Sequence, residues 1–434
     1  MMEDTIFAPS TAIGGAIAVI RISGPQAANT NKLLSKDITA VPQKLVHVAI
    51  SAQGELLDDG MAVYFAAPKT YTGEDLVEIN CHGGMQTVRD ILSALSGLGF
   101  RPAHEGEFTK RAFLNGKMDL SQAEAVMDIV NADAEQSRKS ALLQLSGSVS
   151  QQVHEIQEQL LNALSGIDAA IDYPDEAEES AYAMLPAFLQ KAEVLCQCLI
   201  ENGRTGRVLR DGIRVVLAGR PNVGKSSLLN ALCGSDRAIV TPIAGTTRDT
   251  VDEKISIDGV PVRLIDTAGI RDTGDAVEQI GVARAKSELE AADVCVVVLD
   301  NGMELTADDR QILQDTAGRR RLFVCNKSDI DGAPKLPEAI LVSAKTGEGL
   351  ERLKQEILAM VLPEKVDCTC VTNERHIHAL EEALLAIRGA KNADGLDCVA
   401  TDIAEALHHL GEITGDDVDE AVIDRIFERF CVGK

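Results

Sequence analysis

The chain has 434 residues, 45% of them apolar, and a formal net charge of −25 at pH 7. That length allows about three domains, and the acidity argues against a protein that grips nucleic acid unaided, because phosphate contacts call for a basic face. No apolar run approaches the ~20 residues of a membrane span, and the N-terminus lacks the basic stretch and long apolar core of a signal peptide.

Residues 1 to about 117 read as mixed α/β. A strand is expected over 16–23, ended by Gly24-Pro25, with further short apolar strands at 61–67 and 76–81 and a helix over 85–98. Several strands with few helices suggest an α+β domain. From Asp119 the pattern turns helical, and Ser121-x-x-Glu124 reads as a capping box. Leu142, Leu145, Val149, Val153, Ile156, Leu160, Leu164 and Ile167 recur every three or four residues, marking one helix or a helical hairpin with a break at Gly147. The acidic stretch 172–179, interrupted by Pro174, should end it, and a second helix should run over 184–200. Helical spacing returns late in the chain at Ile377, Leu380, Leu384 and Ile387, then at Val418, Val422, Ile426 and Phe430. A different module, about 210–364, therefore interrupts a helical domain, as insertion permits when a domain's termini lie close together. The ten cysteines are scattered, mostly in apolar stretches (Cys233, Cys295, Cys325), which suits a reducing cytoplasm. The C-x-C pairs Cys196/Cys198 and Cys368/Cys370 have no further ligands at zinc spacing and read as structural.

The inserted module carries the chemistry. An apolar run, 213–218, leads into Gly219-Arg220-Pro221-Asn222-Val223-Gly224-Lys225-Ser226, and Ser227 opens a helical stretch. Strand, glycine-rich turn and helix start come in the order a phosphate cradle needs: loop N–H groups and the positive helix end point at one spot. Lys225 can reach the β- and γ-phosphates and Ser226 can hold Mg²⁺. Asp266-Thr267-Ala268-Gly269 ends the next strand, with an acid for a water-mediated Mg²⁺ contact and a glycine to sense the γ-phosphate. Asn326-Lys327-Ser328-Asp329 offers a carboxylate for guanine N1–H and the N2 amine, a donor pair adenine lacks. Ser343-Ala344-Lys345 can present a backbone N–H to the guanine O6. Four motifs in this order at the ends of expected parallel strands imply a GTP/GDP-binding domain. The residue after Gly269 is Ile270, which cannot orient water. The loop beyond it offers Asp272, Asp275 and Glu278, and the residues alone do not choose among them. Upstream, Thr241-Pro242-Ile243-Ala244-Gly245-Thr246-Thr247-Arg248-Asp249 offers hydroxyls for Mg²⁺ and room for another cation.

Beyond the nucleotide motifs stand Gly245-Thr246-Thr247-Arg248-Asp249, Tyr71-Thr72-Gly73-Glu74-Asp75, the run Arg111-Ala112-Phe113-Leu114-Asn115-Gly116-Lys117-Met118-Asp119-Leu120, and terminal Cys431-Val432-Gly433-Lys434. Together, in this order and over essentially the whole chain, they resemble the MnmE (TrmE) family of tRNA-modification GTPases. The resemblance implies a multi-domain fold: an N-terminal α+β folate-binding and dimerisation domain (1–117), a helical domain split in sequence (118–209 and 365–434), and an inserted Ras-like doubly wound α/β G domain (210–364). It implies a K⁺ ion held by Asn222, the Thr241 and Ile243 carbonyls and Thr246, with Mg²⁺ on Ser226 and Thr247. Glu278 matches the family's water-orienting acid, and Arg248, Asp249 and Arg271 match residues that support loop closure. A 5-formyltetrahydrofolate site carries over to Arg21, Glu78 and Lys117, with Lys434 contributing. Cys431 reads either as a reactive thiol near the folate or as a small residue packed behind Phe430. The family's reaction adds a carboxymethylaminomethyl or aminomethyl group at C5 of the wobble uridine. The resemblance implies a homodimer working with the FAD-dependent partner MnmG, with tRNA held largely through that partner. Ribosome-assembly GTPases such as Era and Der share the GTP motifs, but Era's basic RNA-binding module and Der's second G domain are not seen here. A folate enzyme with a merely regulatory GTPase is the other reading.

Overall fold

The computed structural model describes residues 4–172, 174–236, 252–266, 287–330, 336, 338–363 and 371–434. They fall into two compact units: Met1–Met127 with Gly411–Lys434, and Asp128–Leu410.

The first unit is built on a sheet with strand order β3-β4-β5-β2-β1-β6. Its strands are β1 (Ile6–Pro9), β2 (Ile17–Ser23), β3 (Val46–Ala52), β4 (Glu55–Phe65), β5 (Leu76–His82) and β6 (Arg101–Pro102), with helix α1 (Met85–Gly97) before β6 and α2 (Glu107–Leu114) after it. Neighbours run antiparallel except β1 and β6. β2 alternates: Ala18, Ile20 and Ile22 are buried in one cluster with Val88, Ile91 and Leu95 of α1, so Val19 and Arg21 face the other way. The β3–β4 turn, Gln53-Gly54, has φ of 51° and 85°, the two left-handed residues of a tight hairpin.

Helix α3 (Leu120–Asn131) follows. Its capping box lies two residues earlier than the sequence suggested: Asp119 Oδ1 accepts from the Gln122 N–H at 2.9 Å, and Gln122 Oε1 accepts from the Asp119 N–H at 3.0 Å. A carboxylate at 119 outcompetes the Ser121 hydroxyl, which itself donates to Asp119.

In the second unit, α4 (Glu135–Leu145) and α5 (Ser148–Asp172) are separated at Gly147, whose φ of 92° suits only glycine there. Helix α5 ends at Asp172, where the acidic stretch begins, as expected, but the second helix is longer than 184–200. Helix α6 spans Pro174–Asp211, with Pro174 at its first position, where a missing N–H costs nothing. Part of α6, Ala183–Asp211, is long and apolar enough to cross a membrane by length and composition alone. Its Leu185, Leu189, Ala192, Cys196 and Leu199 are buried every three or four residues, and α6 packs on α5.

The second sheet contains β7 (Ile213–Ala218), β8 (Asp252–Ile257), β9 (Val260–Asp266), β10 (Val294–Asp300), β11 (Arg321–Asn326) and β12 (Ile340–Leu341), in the order β12-β11-β10-β7-β9-β8. All neighbours are parallel except β8 with β9. Helices α7 (Lys225–Asp236), α8 (Ala307–Asp315) and α9 (Leu350–Ala359) accompany it. Buried on both faces, β10 reads as a continuous apolar run up to Asp300, as a parallel strand should, and β7 does so from Val215 to Ala218. Three helices close the chain: α10 (Glu374–Asn392), α11 (Leu396–Thr414) and α12 (Glu420–Phe427). Residues up to 127 and 411–434 fall in the same compact unit as the N-terminal sheet. The reason is apolar contact: Phe427 and Phe430 share a buried cluster with Leu120 and Ala123, and Phe113 packs against it.

Candidate functional site

β7, β9, β11 and β12 end on the same side of their sheet, and the nucleotide motifs leave from those ends. The loop after β7 carries two left-handed residues, Asn222 (φ 66°) and Gly224 (φ 94°). Glycine is required at 224, because a Cβ would collide with the Asn326 side-chain amide. It is required at 219 as well, where a Cβ would sit 2.6 Å from the Val298 carbonyl. Val223 is fully buried and pins the loop to the core. Lys225 Nζ, almost wholly buried, donates to the Gly219 and Arg220 carbonyls at 2.8 and 3.0 Å, so its charge lies inside the loop. Ser226 and Ser227 are exposed at the helix start, and Ser226 Oγ donates to buried Asp266 Oδ2 at 2.7 Å. A hydroxyl beside a carboxylate is an oxygen-only donor set, which fits a hard divalent cation.

The loops after β11 and β12 are tied to that cradle through Asn326. Its Nδ2 donates to the Val223 carbonyl at 2.9 Å, and its Oδ1 accepts from the Ala344 N–H at 3.1 Å. Asp329 Oδ1 accepts from Ser343 Oγ at 2.7 Å, and this bond holds its carboxyl below the ordinary carboxylate range. Ser343 is buried and Lys345 exposed. Lys327 adopts a left-handed φ of 67° and donates to Asp300 Oδ2 at 2.7 Å and to the Asn222 carbonyl at 3.2 Å.

Sequence reasoning passed over two members of this arrangement. Asp300 ends the buried β10 and anchors Lys327, and the signal was an acid closing an apolar run at the functional edge of the sheet. Arg220 sits 3.3 Å from Asp309, which forms a capping box with Thr306 at the start of α8. Thr241, Pro242, Ile243, Ala244, Gly245, Thr246, Thr247, Arg248, Asp249, Thr267, Ala268, Gly269, Arg271 and Glu278 lie outside the described residues.

In the N-terminal unit, Arg21 and Glu78 are register partners on β2 and β5. Arg21 Nε and Nη2 donate to Glu78 Oε1 at 3.0 and 2.8 Å, and the guanidinium lies 5.4 Å from the Tyr71 ring centre and 5.8 Å from that of Phe108. Lys117 Nζ donates to the Pro68 carbonyl at 2.9 Å, and among the described residues no hydrogen bond joins it or Lys434 to that pair. Cys431 is exposed, so it does not pack behind Phe430. The two N-terminal motifs meet in a buried charge network. Arg111, fully buried, donates to Glu107 Oε1 at 2.9 Å, to Asp4 Oδ1 at 2.8 Å and to Glu74 Oε2 at 3.1 Å. Ser23 also donates to Glu74, at 2.9 Å, and Asn115 donates to the Thr72 carbonyl at 2.7 Å. These motif residues support the fold around Arg21.

Comparison with known proteins agrees over the full length. The family model described as the MnmE helical domain matches residues 120–431, and that described as the GTP-binding protein TrmE N-terminus matches residues 5–117. The chain belongs to the MnmE family of tRNA-modification GTPases. It is 43% identical to the tRNA modification GTPase MnmE of Natranaerobius thermophilus, covering 100% of both chains. It is 42% identical to that of Enterococcus faecalis, covering 100% of this chain and 99% of the other. Like other MnmE proteins it is a GTP hydrolase acting in tRNA modification, an activity that implies binding of GTP, GDP and Mg²⁺.

Proposed function

We propose that this chain hydrolyses GTP in a K⁺-dependent manner. With an FAD-dependent partner of the MnmG kind, it installs a carboxymethylaminomethyl or aminomethyl group at C5 of the wobble uridine of certain tRNAs. The one-carbon unit comes from 5-formyltetrahydrofolate. The observation that carries the nucleotide half is the convergence of Lys225, the Ser226–Asp266 pair and the Asn326–Asp329–Ser343 network at one edge of a parallel sheet.

Each side chain has a task that follows from its chemistry. Lys225 carries the charge that faces the phosphates, and Asp329 reads the paired donors of guanine. Ser226 and Thr247 hold Mg²⁺. Asn222, with the Thr241 and Ile243 carbonyls and Thr246, holds K⁺; when bound, that cation supplies fixed positive charge where phosphate negative charge develops. Glu278 orients the attacking water, and Arg248, Asp249 and Arg271 support closure around it. In the N-terminal domain, Arg21 and Glu78 recognise folate, aided by Lys117 and Lys434. Both Arg21 donors go to Oε1 of Glu78, so the other oxygen is not engaged by Arg21. Cys431 serves as an accessible thiol. The protein works as a cytoplasmic homodimer, with tRNA bound largely through the partner, which suits its charge of −25.

The test is turnover in K⁺ and Na⁺ at equal ionic strength. Loss of about tenfold or more in Na⁺ is expected, since removing one preorganised charge contact costs at least that much; equal rates would remove the cation from the reaction. Mass spectrometry of tRNA nucleosides from cells lacking the gene should show unmodified C5 at the wobble uridine.

A further inference from the structure

Helix α4 begins with Ala134 at its N-cap, a residue with no side-chain oxygen to satisfy the free N–H groups of the first turn. The Gln136 N–H is satisfied from elsewhere: it donates to the Gly259 carbonyl at 2.8 Å. Gly259 is the second residue of the two-residue turn between β8 and β9, both of whose residues, Asp258 and Gly259, are left-handed. A Cβ at 259 would stand 3.2 Å from Gln136 Cγ and 3.3 Å from Glu135 Cβ, so the turn lies directly against the helix. Beside it, Lys254 Nζ of β8 pairs with Asp133 Oδ2 at 2.6 Å. Helix α4 is fixed in turn to the end of α6 through Ser137 Oγ, which donates to the Leu209 carbonyl at 2.5 Å.

The far end of this hairpin is the nucleotide site. β9 ends at Asp266, which accepts from Ser226, and β8 begins three residues after Asp249. The ladder pairs every residue from Asp252↔Ile265 to Ile257↔Val260. Register in such a ladder cannot slip by one residue without turning every side chain to the wrong face. A displacement at Asp266 is therefore passed on to the turn.

We infer that the β8–β9 hairpin is a lever that passes the nucleotide state to the helices, with α4 as its receiver and the Lys254–Asp133 pair and Gly259 as positioning residues. The inference rests on the GTPase activity in tRNA modification and on neither K⁺ nor folate. It separates turnover from its use: loosening the contact leaves GTP hydrolysis running and impairs modification.

The test uses the full-length chain with Lys254→Asp, Asp133→Lys and the exchanged pair together. Both positions are exposed, where single substitutions disturb folding little. Turnover and KM for GTP are measured on purified protein. The tRNA nucleosides that a deletion strain lacks are measured after complementation. Each single variant should keep kcat and KM within about twofold while restoring modification at least about fivefold less well, and the exchanged pair should recover it. Full modification by both single variants, turnover falling in step with modification, or no recovery in the exchanged pair would each overturn the inference. A strain whose nucleosides are unaffected by deletion would instead overturn the tRNA role itself.

Discussion

Asp300 shows how one buried carboxylate can hold two strained residues together. Lys327 and Asn222 are both left-handed without being glycine, a conformation that costs of order 1–3 kcal/mol each. One ammonium group answers for both: it is clamped by Asp300 and donates to the Asn222 carbonyl. Burial would raise the Asp300 carboxyl, but bonds from Lys327 and the Gly302 N–H outweigh it and hold it below its ordinary 3.8. Because the native value is depressed, the contribution is complete above that ordinary value and is lost as pH falls through the native one. We predict that Asp300→Asn raises KM for GTP about tenfold with little change in kcat, since it loosens the loop that binds both ground and transition states. Steady-state kinetics across pH 5–8 decide it, and the wild-type KM should not vary through this group over that range.

At the scale of single elements, the capping of α3 is a local contest that the sequence pattern leaves open. Asp119 and Ser121 could each begin the helix, and the carboxylate takes the role with Gln122 as its reciprocal partner. Asp119→Ala should cost about 1 kcal/mol of stability, measurable by urea unfolding, because it removes the acceptor of the Gln122 N–H. Strands β2, β5, β7 and β11 and the Gly147 break were legible for the same local reasons: short apolar runs bounded by turn residues, and a glycine where the chain turns. The cradle was legible too, because its glycines and lysine are adjacent in the chain. The Arg111 network was not. Its partners come from positions 4, 74 and 107, so the motif marked a family without showing what the arginine does. Asp300 stayed hidden because an acid at a strand end ordinarily marks the start of a loop.

For the whole chain, the farthest-reaching fact is that its two ends build one unit. Val432 bridges to Glu105, the Gly433 carbonyl accepts from Ser10 Oγ, and Phe427 and Phe430 lie with their rings 5.1 Å apart in a cluster that includes Leu120. Gly106 accommodates them: a Cβ there would lie 2.9 Å from Phe430 Cβ. The N-terminal unit, though not its sheet, is thus completed only when residues more than 300 positions away have been made, a contact order that slows folding. Phe427, 2% exposed, should carry much of the closure. Truncating a buried phenylalanine to alanine costs about 3–5 kcal/mol. We predict that Phe427→Ala speeds amide hydrogen exchange in β2 and β5 by about 10² or more, following the loss of local stability. Exchange in β7 and β10, which belong to the other compact unit, should stay as it was. Acceleration in both sheets, or in neither, would mean that the C-terminal helix does not serve the N-terminal unit alone.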